Sequence, residues 1–526
     1  MKRIVLLLSA LLVGSCATMQ SPQDRISRAL DAMGGADALF RVKTITVTGT
    51  MKQWEPEQNH VPGGEMRFAG NLEFTLTGDF TRHAVRLDIV KKLEYIPRTF
   101  TYSEIVTPDA GWVIGVDGSS RNRQSVETNP PAHSMSGLRL AATQRELRRA
   151  SPSLLLEMRR NPEKVTASPD VSIGGVTYPA VSYSAGNYSF IVMFDPKTNL
   201  PARIRTLDYD NIWGDVTYDL VLSEWRTMGG VLIASSQKHE LNGSVVVDTR
   251  ITAATANPPM PANFFEPPAA VKAGAVKPAT GGVAYQWVIR RQFVGFYLDS
   301  DHMSFDTRAS KGLQLNEIAP GVQHQVGGSH HTLVVEMRDF LVVMDAPVSD
   351  WQSNWTIDAA KAKYPGKPVR YVVLTHHHND HAGGIRGYAA QGATLVVGKG
   401  AGDHYRKVLA APFTRNPDLA SRDLSKTPII EVADKHVISD GKREVSAYLI
   451  ENPHAASTLI GYVADVRVAF VTDLWNPGAP LPPKMNPGLA AVVDGVKKAG
   501  IQPLTVAGGH GSTAPYALLV GLAGGQ

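Results

Sequence analysis

Apolar and polar positions along the chain follow two periods in turn. Near the start, Ile26, Ala29, Leu30 and Met33 recur at helical spacing, and Gly34-Gly35 closes the run. The period then drops to two. Ile45 and Val47 alternate with threonines, and Leu72, Phe74 and Leu76, then Val85, Leu87 and Ile89, alternate with polar residues. A helical interval over about 136–160, broken near Pro152, precedes a second alternating series. That series runs through Tyr188, Phe190, Val192 and Phe194, then Ile204 and Leu207, then Val216, Tyr218, Leu220 and Leu222. Asn242-Gly243 predicts a tight hairpin, because both residues tolerate positive φ, and Val245, Val247 and Ile251 continue beyond it. The pattern predicts a curved antiparallel sheet with one or two helices over 26–266.

Beyond Glu266 the periodicity stops. A Pro/Ala/Gly stretch over 267–284 reads as a semi-extended linker, and 285–311 as a segment leading into a second unit over 312–526. There the pattern is different. Short apolar runs, 341–344, 369–374, 445–450, 468–471 and 504–507, each lead into a stretch carrying His or Asp. Runs of this kind are buried strands, and open α/β sheets place their sites at the C-terminal ends of such strands. A downstream unit beginning near Gln286 is expected to fold on its own.

The run after 369–374 carries the chemistry: Thr375-His376-His377-His378-Asn379-Asp380-His381-Ala382-Gly383-Gly384. Its His-x-His-x-Asp-His spacing gathers imidazole nitrogens and a carboxylate oxygen within six residues. Such mixed ligands suit zinc and similar divalent ions, and a metal site near neutral pH points to activated water and hydrolysis. His454, Asp473 and His510 follow later strand-like runs, and Asp345 precedes the motif in the same setting. His377 lies between two candidate ligands and is expected to point away from them. His330 and His331 are expected near the pocket rim. Trp475, Asn476 and Lys484 are placed to meet substrate or to pack.

These segments resemble the metallo-β-lactamase-fold hydrolases over about 312–526. The resemblance implies an αββα sandwich, an α/β fold of two sheets between outer helices, joined here to an antiparallel β-rich half-barrel domain. It implies that His376, His378 and His454 bind a first metal and that Asp380, His381 and His510 bind a second. Asp473 bridges the two, and Asp345 lies outside them, orienting a ligand imidazole. Two zinc ions are expected, with iron or manganese as alternatives. Asp380 is the expected catalytic residue, orienting a metal-bridging hydroxide and moving its proton. The bond attacked is an ester, lactone, amide, thioester or phosphoester. Many lactamases of the family carry Cys or Ser in place of the bridging Asp, so Asp473 resembles the broader hydrolase branches. The flavodiiron branch puts Glu where His378 stands. A mono-iron sulfur dioxygenase shares the motif and is one alternative. The second is a lipid- or lipoprotein-binding carrier with a non-catalytic hydrolase-like domain, because the β-rich half, with the segment 194–201, resembles the lipoprotein-carrier half-barrels.

The first residues add location. Met1-Lys2-Arg3, an apolar run over 4–13 and Val13-Gly14-Ser15-Cys16 resemble a bacterial lipoprotein signal. Residues 1–15 read as a signal peptide, Cys16 as the lipidation site and 16–25 as a lipidated tether. The expected location is lipid-anchored at the outer membrane, facing the periplasm or the cell surface. Cys16 is the one cysteine among 526 residues, so no disulfide forms within the chain, and an apolar content of 43% leaves ample core for two or three domains. A net charge of +5 is mild for this length, and export argues against a nucleic-acid partner. The expected partners are a small-molecule or acylated substrate and the membrane, through the lipid.

Overall fold

The computed structural model describes residues 21–94, 97–118, 127–280, 312–415 and 423–524. The signal peptide, Cys16, residues 16–20 of the tether, 281–284 of the linker and all of the lead-in segment 285–311 lie outside the described residues. No helix among those described is long and apolar enough to cross a membrane.

The alternating N-terminal pattern builds one antiparallel sheet of thirteen strands. Strand Thr44–Glu55 and strand Ser244–Ala256 pair at its middle, and two meanders run outwards from that pair. Asn242 and Gly243 turn the Val231–Leu241/Ser244–Ala256 hairpin with φ of 48° and 85°, as the sequence predicts. The helical interval is two helices, Gly137–Arg149 and Leu154–Arg160, separated around Pro152. The N-terminal helix Pro22–Ala32 starts on a Ser21 capping box and buries Ile26, Ala29 and Leu30 against Leu154, Leu155, Met158 and the strand residues Phe190 and Val192.

Helix Gly137–Arg149 shows how the sheet curves. Arg139 pairs with Glu104 on strand Arg98–Val106, and Arg145 pairs at 2.7 Å with Asp208 on strand Pro201–Asp210. These are the third and tenth strands of the sheet. Spaced at about 4.8 Å per strand, they would lie more than ~30 Å apart in a flat sheet. One helix reaches both only because the sheet curls around it. The half-barrel resemblance implies an open trough for acyl chains; this trough instead holds the helix and its buried ion pairs. Within the segment read as a linker, Ala269–Lys272 forms a turn of helix, and Val271 is buried beside Trp112 and Phe265.

The C-terminal half is an αββα sandwich. A seven-stranded mixed sheet and a six-stranded sheet face each other across Val335, Val342, Met344, Val373, Val445, Leu459 and Phe470. Helices Asp350–Lys363 and Ile385–Ala389 cover the first sheet, and helices Pro487–Ala499 and Ala517–Gly524 cover the second. Strands Leu341–Met344, Val369–Val373 and Thr394–Gly398 run parallel, as do Val468–Val471 and Thr505–Gly508. Their C-terminal ends open on one edge of the sandwich.

The two halves share an interface made by two tips of the N-terminal sheet. The turn between strands Pro201–Asp210 and Gly214–Met228 drives Ile212, fully buried, into the cluster of Ile385, Tyr388, Tyr405 and Val408. Asn211 Nδ2 donates to the Val348 carbonyl at 2.8 Å, and Arg386 donates to the Ile212 carbonyl at 3.1 Å. Gly214 is required here. Its φ is 72°, and a Cβ would lie 2.1 Å from the Pro412 carbonyl oxygen. The loop 56–66 between strands Thr44–Glu55 and Arg67–Asp79 is the second tip, and Trp213 Nε1 of the first donates to the Glu57 carboxylate of the second.

Candidate metal centre

The motif sits where strand Val369–Val373 ends. Asp345, past the neighbouring strand Leu341–Met344, ties that end down: its Oδ1 accepts from the Thr375 N–H at 2.7 Å and its Oδ2 from the Thr375 hydroxyl at 2.9 Å. His376 and His378 follow on the loop, and His378 starts the short helix Asn379–Ala382 that carries Asp380 and His381. Gly383-Gly384 lets this turn press against the next loop. A Cβ on Gly383 would meet the Val348 carbonyl at 2.2 Å, and one on Gly384 the Ser349 carbonyl at 2.4 Å. Asp345 and Asp473 both hold left-handed backbone, with φ of 64° and 58°. Strain of that kind costs of order 1–3 kcal/mol per residue and clusters at sites that need a fixed side-chain direction.

The side chains converge in two groups. His376, His378, His454 and Asp473 form one, and His330, Asp380, His381 and His510 form the other; in each, the ligand atoms lie within 4.8 Å of one another. Asp473 joins them by dividing its oxygens. Oδ2 lies 2.7 Å from His454 Nε2 and 3.4 Å from His376 Nε2. Oδ1 lies 2.6 Å from His510 Nε2 and 3.0 Å from His381 Nε2.

The donor set fits divalent cations. His378 Nε2 donates to the Asn59 carbonyl at 2.9 Å, which leaves Nδ1 as the lone-pair nitrogen. That Nδ1 is buried and has no hydrogen-bond partner among the described residues. A buried acceptor aimed into a histidine cluster is what a metal ligand presents. His376 Nε2 and His454 Nε2 lie 3.2 Å apart, two imidazole nitrogens converging with the Asp473 carboxylate. His381 Nδ1 lies 2.9 Å from Asp345 Oδ2, which turns its Nε2 towards Asp473.

Electrostatics follow from burial. Desolvation, with the neighbouring His381 and His454, pushes His376 down to about 4. Desolvation and the nearby His510 push His330 to about 3. Desolvation and the adjoining His376 and His454 hold His378 well below its ordinary value. These rings are neutral at pH 7 and offer lone pairs. His381 differs. Burial opposes its charge, but Asp473 and Asp345 on either side raise its pKa well above the ordinary value. Asp473 resists burial in turn and stays well below the carboxylate range beside His381 and His510. A proton on His381 Nε2 supplies the positive charge that a cation supplies there.

The structure brings His376, His378, Asp380, His381, His454, Asp473 and His510 together, with Asp345 behind His381. His330 goes further than the rim position expected of it. Its Nε2 is 3.2 Å from Asp380 Oδ2, and its ring centroid is 4.3 Å from that of His510. One signal in the sequence could have found it. His330 lies two residues before strand Thr332–Glu336, which runs antiparallel to Leu341–Met344, so its start lies at the edge where the parallel strands end. His331 is tied to the same edge by its N–H, which donates to the Gly509 carbonyl at 2.8 Å. His377 belongs to neither group: its Nε2 lies 3.3 Å from Asn59 Oδ1 and its ring packs towards His404. Trp475 is a core residue packed with Leu474 and Leu489.

Residues 344–513 match the model of the Metallo-beta-lactamase superfamily, and this segment carries that domain. A search of curated proteins returns no match. Among solved structures, the chain is similar to the stereoselective inverting sec-alkylsulfatase Pisa1 from Pseudomonas sp., at 18% identity over 41% of this chain and 42% of that one, with a TM-score of 0.32. It is similar to a metallo-beta-lactamase from Pontibacter korlensis, at 19% identity over 41% of this chain and all of that one, with a TM-score of 0.31. It is also similar to the flavodiiron protein from Giardia intestinalis, at 15% identity over 40% of this chain and 58% of that one, with a TM-score of 0.31. The chain spans about two fifths of the alkylsulfatase's length.

Proposed function

We propose that this chain is a binuclear metal-dependent hydrolase, with zinc as the ion. The observation that carries the reading is the division of Asp473 between the two histidine groups, one oxygen to each. His376, His378 and His454 with Asp473 would hold one ion. Asp380, His381 and His510 with Asp473 would hold the other, with His330 beside Asp380. Divalent ions in such ligands polarise an electrophilic oxygen and lower the pKa of water towards about 7.

The chain's own residues then do the rest. Asp345 fixes the His381 ring through Nδ1, and the Asn59 carbonyl fixes that of His378 through Nε2. Asp380 is held from both sides, Oδ1 by Gln58 and Oδ2 beside His330. A carboxylate fixed in this way is placed to take a proton during attack and pass it on. Thr375 and Asp345 anchor the loop so that these directions persist. The substrate is a small or acylated molecule carrying an ester, lactone, amide, thioester or phosphoester bond. Export, lipid attachment at Cys16 and the outer-membrane location belong to the same reading, supported by the basic start, the short apolar run and the lone cysteine.

Metal analysis of the purified chain, followed by a panel of ester, lactone, β-lactam, thioester and phosphodiester substrates with and without a chelator, tests the reading. About two zinc equivalents and a chelator-sensitive hydrolysis are expected. A chain that holds a single iron and oxidises a thiol would replace it with the dioxygenase alternative.

A further inference from the structure

The loop 56–66 belongs to the N-terminal sheet, yet its polar tip is buried in the metal centre. Glu57, Gln58 and Asn59 are each no more than 6% exposed. Three successive polar side chains at a hairpin tip ordinarily face water, and burying one without a partner costs its full desolvation. The Glu57 carboxylate is taken by Trp213 Nε1 of the neighbouring tip, whereas the partners of Gln58 and Asn59 are the segments that carry the candidate ligands. Gln58 Nε2 donates to Asp380 Oδ1 at 2.6 Å and to Asn379 Oδ1 at 3.1 Å. The Asn59 carbonyl accepts from His378 Nε2 at 2.9 Å, and Asn59 Oδ1 lies 3.3 Å from His377 Nε2. The His60 carbonyl accepts from the Ala456 N–H at 2.8 Å, two residues past His454. The tip therefore touches one member of each histidine group and the loop that carries a third.

Each contact has a definite chemical consequence. A carbonyl accepts only from an N–H, so Asn59 places the His378 proton on Nε2 and the lone pair on Nδ1. A carboxamide N–H₂ on Asp380 Oδ1 fixes the carboxylate's rotation and leaves Oδ2 turned towards His330. Both are the work that outer partners do for metal ligands, and removing such a partner typically lowers metal affinity about 10–100-fold. Here those partners come from a different domain, more than three hundred residues earlier in the chain.

We propose that the Glu57–His60 tip is a positioning element of the metal centre, so that metal binding by the C-terminal half depends on the docked N-terminal sheet. Gln58 positions Asp380 and the Asn59 backbone positions His378. The proposal rests on the metal-centre part of the proposed function and is independent of which bond is hydrolysed.

Cobalt(II) binding to the full chain tests it, followed by competition with a chromophoric chelator and by the visible absorption of the bound ion, which reports ligand geometry. Gln58→Ala should weaken one of two cobalt ions about 10–100-fold and change its absorption band. Replacing 57–60 with a Gly/Ser tetrapeptide keeps a carbonyl at position 59 but removes the buried side chains that hold it against His378, and should weaken both. Glu224→Ala, on an exposed part of the same sheet, should bind both ions as the wild type does. Far-UV dichroism and the urea midpoint establish that each variant is folded; if the tetrapeptide variant fails to fold, Gln58→Ala decides alone. Wild-type cobalt affinity and spectrum in a folded Gln58→Ala chain would overturn the proposal. A wild-type chain that binds two cobalt ions, shows the Gln58 dependence and hydrolyses nothing in the panel would sink the hydrolase reading and leave this one standing.

Discussion

Oδ2 of Asp345 lies 2.9 Å from Nδ1 of His381, and the same carboxylate takes both polar hydrogens of Thr375. Three donors thus share two fully buried oxygens. The strand end that starts the motif and the imidazole that closes it are fixed by one side chain.

Asp345→Asn should therefore cost more than one hydrogen bond. Asparagine keeps a single acceptor oxygen and turns an N–H₂ towards a donor. Its backbone is not at issue, since Asn tolerates the left-handed region that Asp345 occupies at φ 64°. An unsatisfied buried group costs about 1–3 kcal/mol, and a lost orienting partner about 10–100-fold in metal affinity. Urea unfolding of the metal-free chain and chelator competition measure the two separately. A variant with wild-type values in both would show that Asp345 orients nothing.

The metal centre was legible in the sequence to the extent that it follows strand ends. His376, His378, Asp380, His381, His454, Asp473 and His510 all occur in loops after apolar runs, and parallel strands carry most of those loops to one edge. His330 was less legible because it precedes its strand, and only the antiparallel direction of Thr332–Glu336 brings it to that edge. Gln58 and Asn59 could not be read at all. Polar residues in a hairpin loop look solvated until the partner that buries them is known, and theirs lies across a domain interface. Ile212-Trp213 gave a partial signal: two large apolar residues in a tight turn call for a partner surface, but the sequence does not say which one. The β-rich fold was legible from its period of two. The helix Gly137–Arg149 filling the trough was not, because arginines on a helix ordinarily face water, and Arg139 and Arg145 are buried by carboxylates on distant strands.

Asp380→Ala removes a candidate ligand and the group placed to move a proton. It also takes away the shorter of the Gln58 carboxamide's two bonds, leaving Asn379 as its one acceptor. Loss of a positioned proton-transfer group typically costs about 10²–10⁴ in rate. A drop of at least a hundredfold in kcat on whichever panel substrate is turned over is expected. Full activity in the variant would remove Asp380 from the mechanism.

Acid should destabilise the metal-free chain in a defined window. Burial, aided by like charges nearby, lowers His376, His331 and His404 to about 4 and His330 to about 3. Unfolded, these imidazoles titrate near 6.5, so between pH 6.5 and 4 the unfolded chain binds more protons than the folded one. Their neutral form stabilises the fold above pH 6.5, and that contribution is lost as pH falls through the window, at no more than about 1.4 kcal/mol per pH unit for each group. His381, whose pKa is raised by its two carboxylates against the effect of burial, acts with the opposite sign and loses its contribution as pH rises through its own value. The lowered group is larger, so the urea midpoint should fall steeply from pH 6.5 to 4. Bound metal, which competes with protons for the same nitrogens, should move the fall to lower pH. A midpoint flat across that range would contradict the burial of these rings.

Gly214→Ala tests the interface itself, away from the metal. A Cβ there would lie 2.1 Å from the Pro412 carbonyl, and the residue's φ of 72° is one that alanine rarely adopts. Pro412 cannot retreat easily, since its carbonyl accepts from the Asp215 N–H at 2.6 Å and Asp215 also accepts from Thr414 and Arg415. The turn would have to lift, drawing Ile212 out of its cluster; loss of a buried aliphatic side chain of that size costs about 2–5 kcal/mol. Because Trp213 is bonded to Glu57, movement of this tip should carry the loop 56–66 with it. The variant is expected to show an early unfolding step for the N-terminal half and weaker metal binding, although no substituted atom lies near a candidate ligand. Ile212→Ala, which leaves the backbone free of any clash, should produce the same two effects to a smaller degree. Differential scanning calorimetry with and without added metal resolves the step, and two variants that unfold as the wild type does would show that the halves stay docked without this tip.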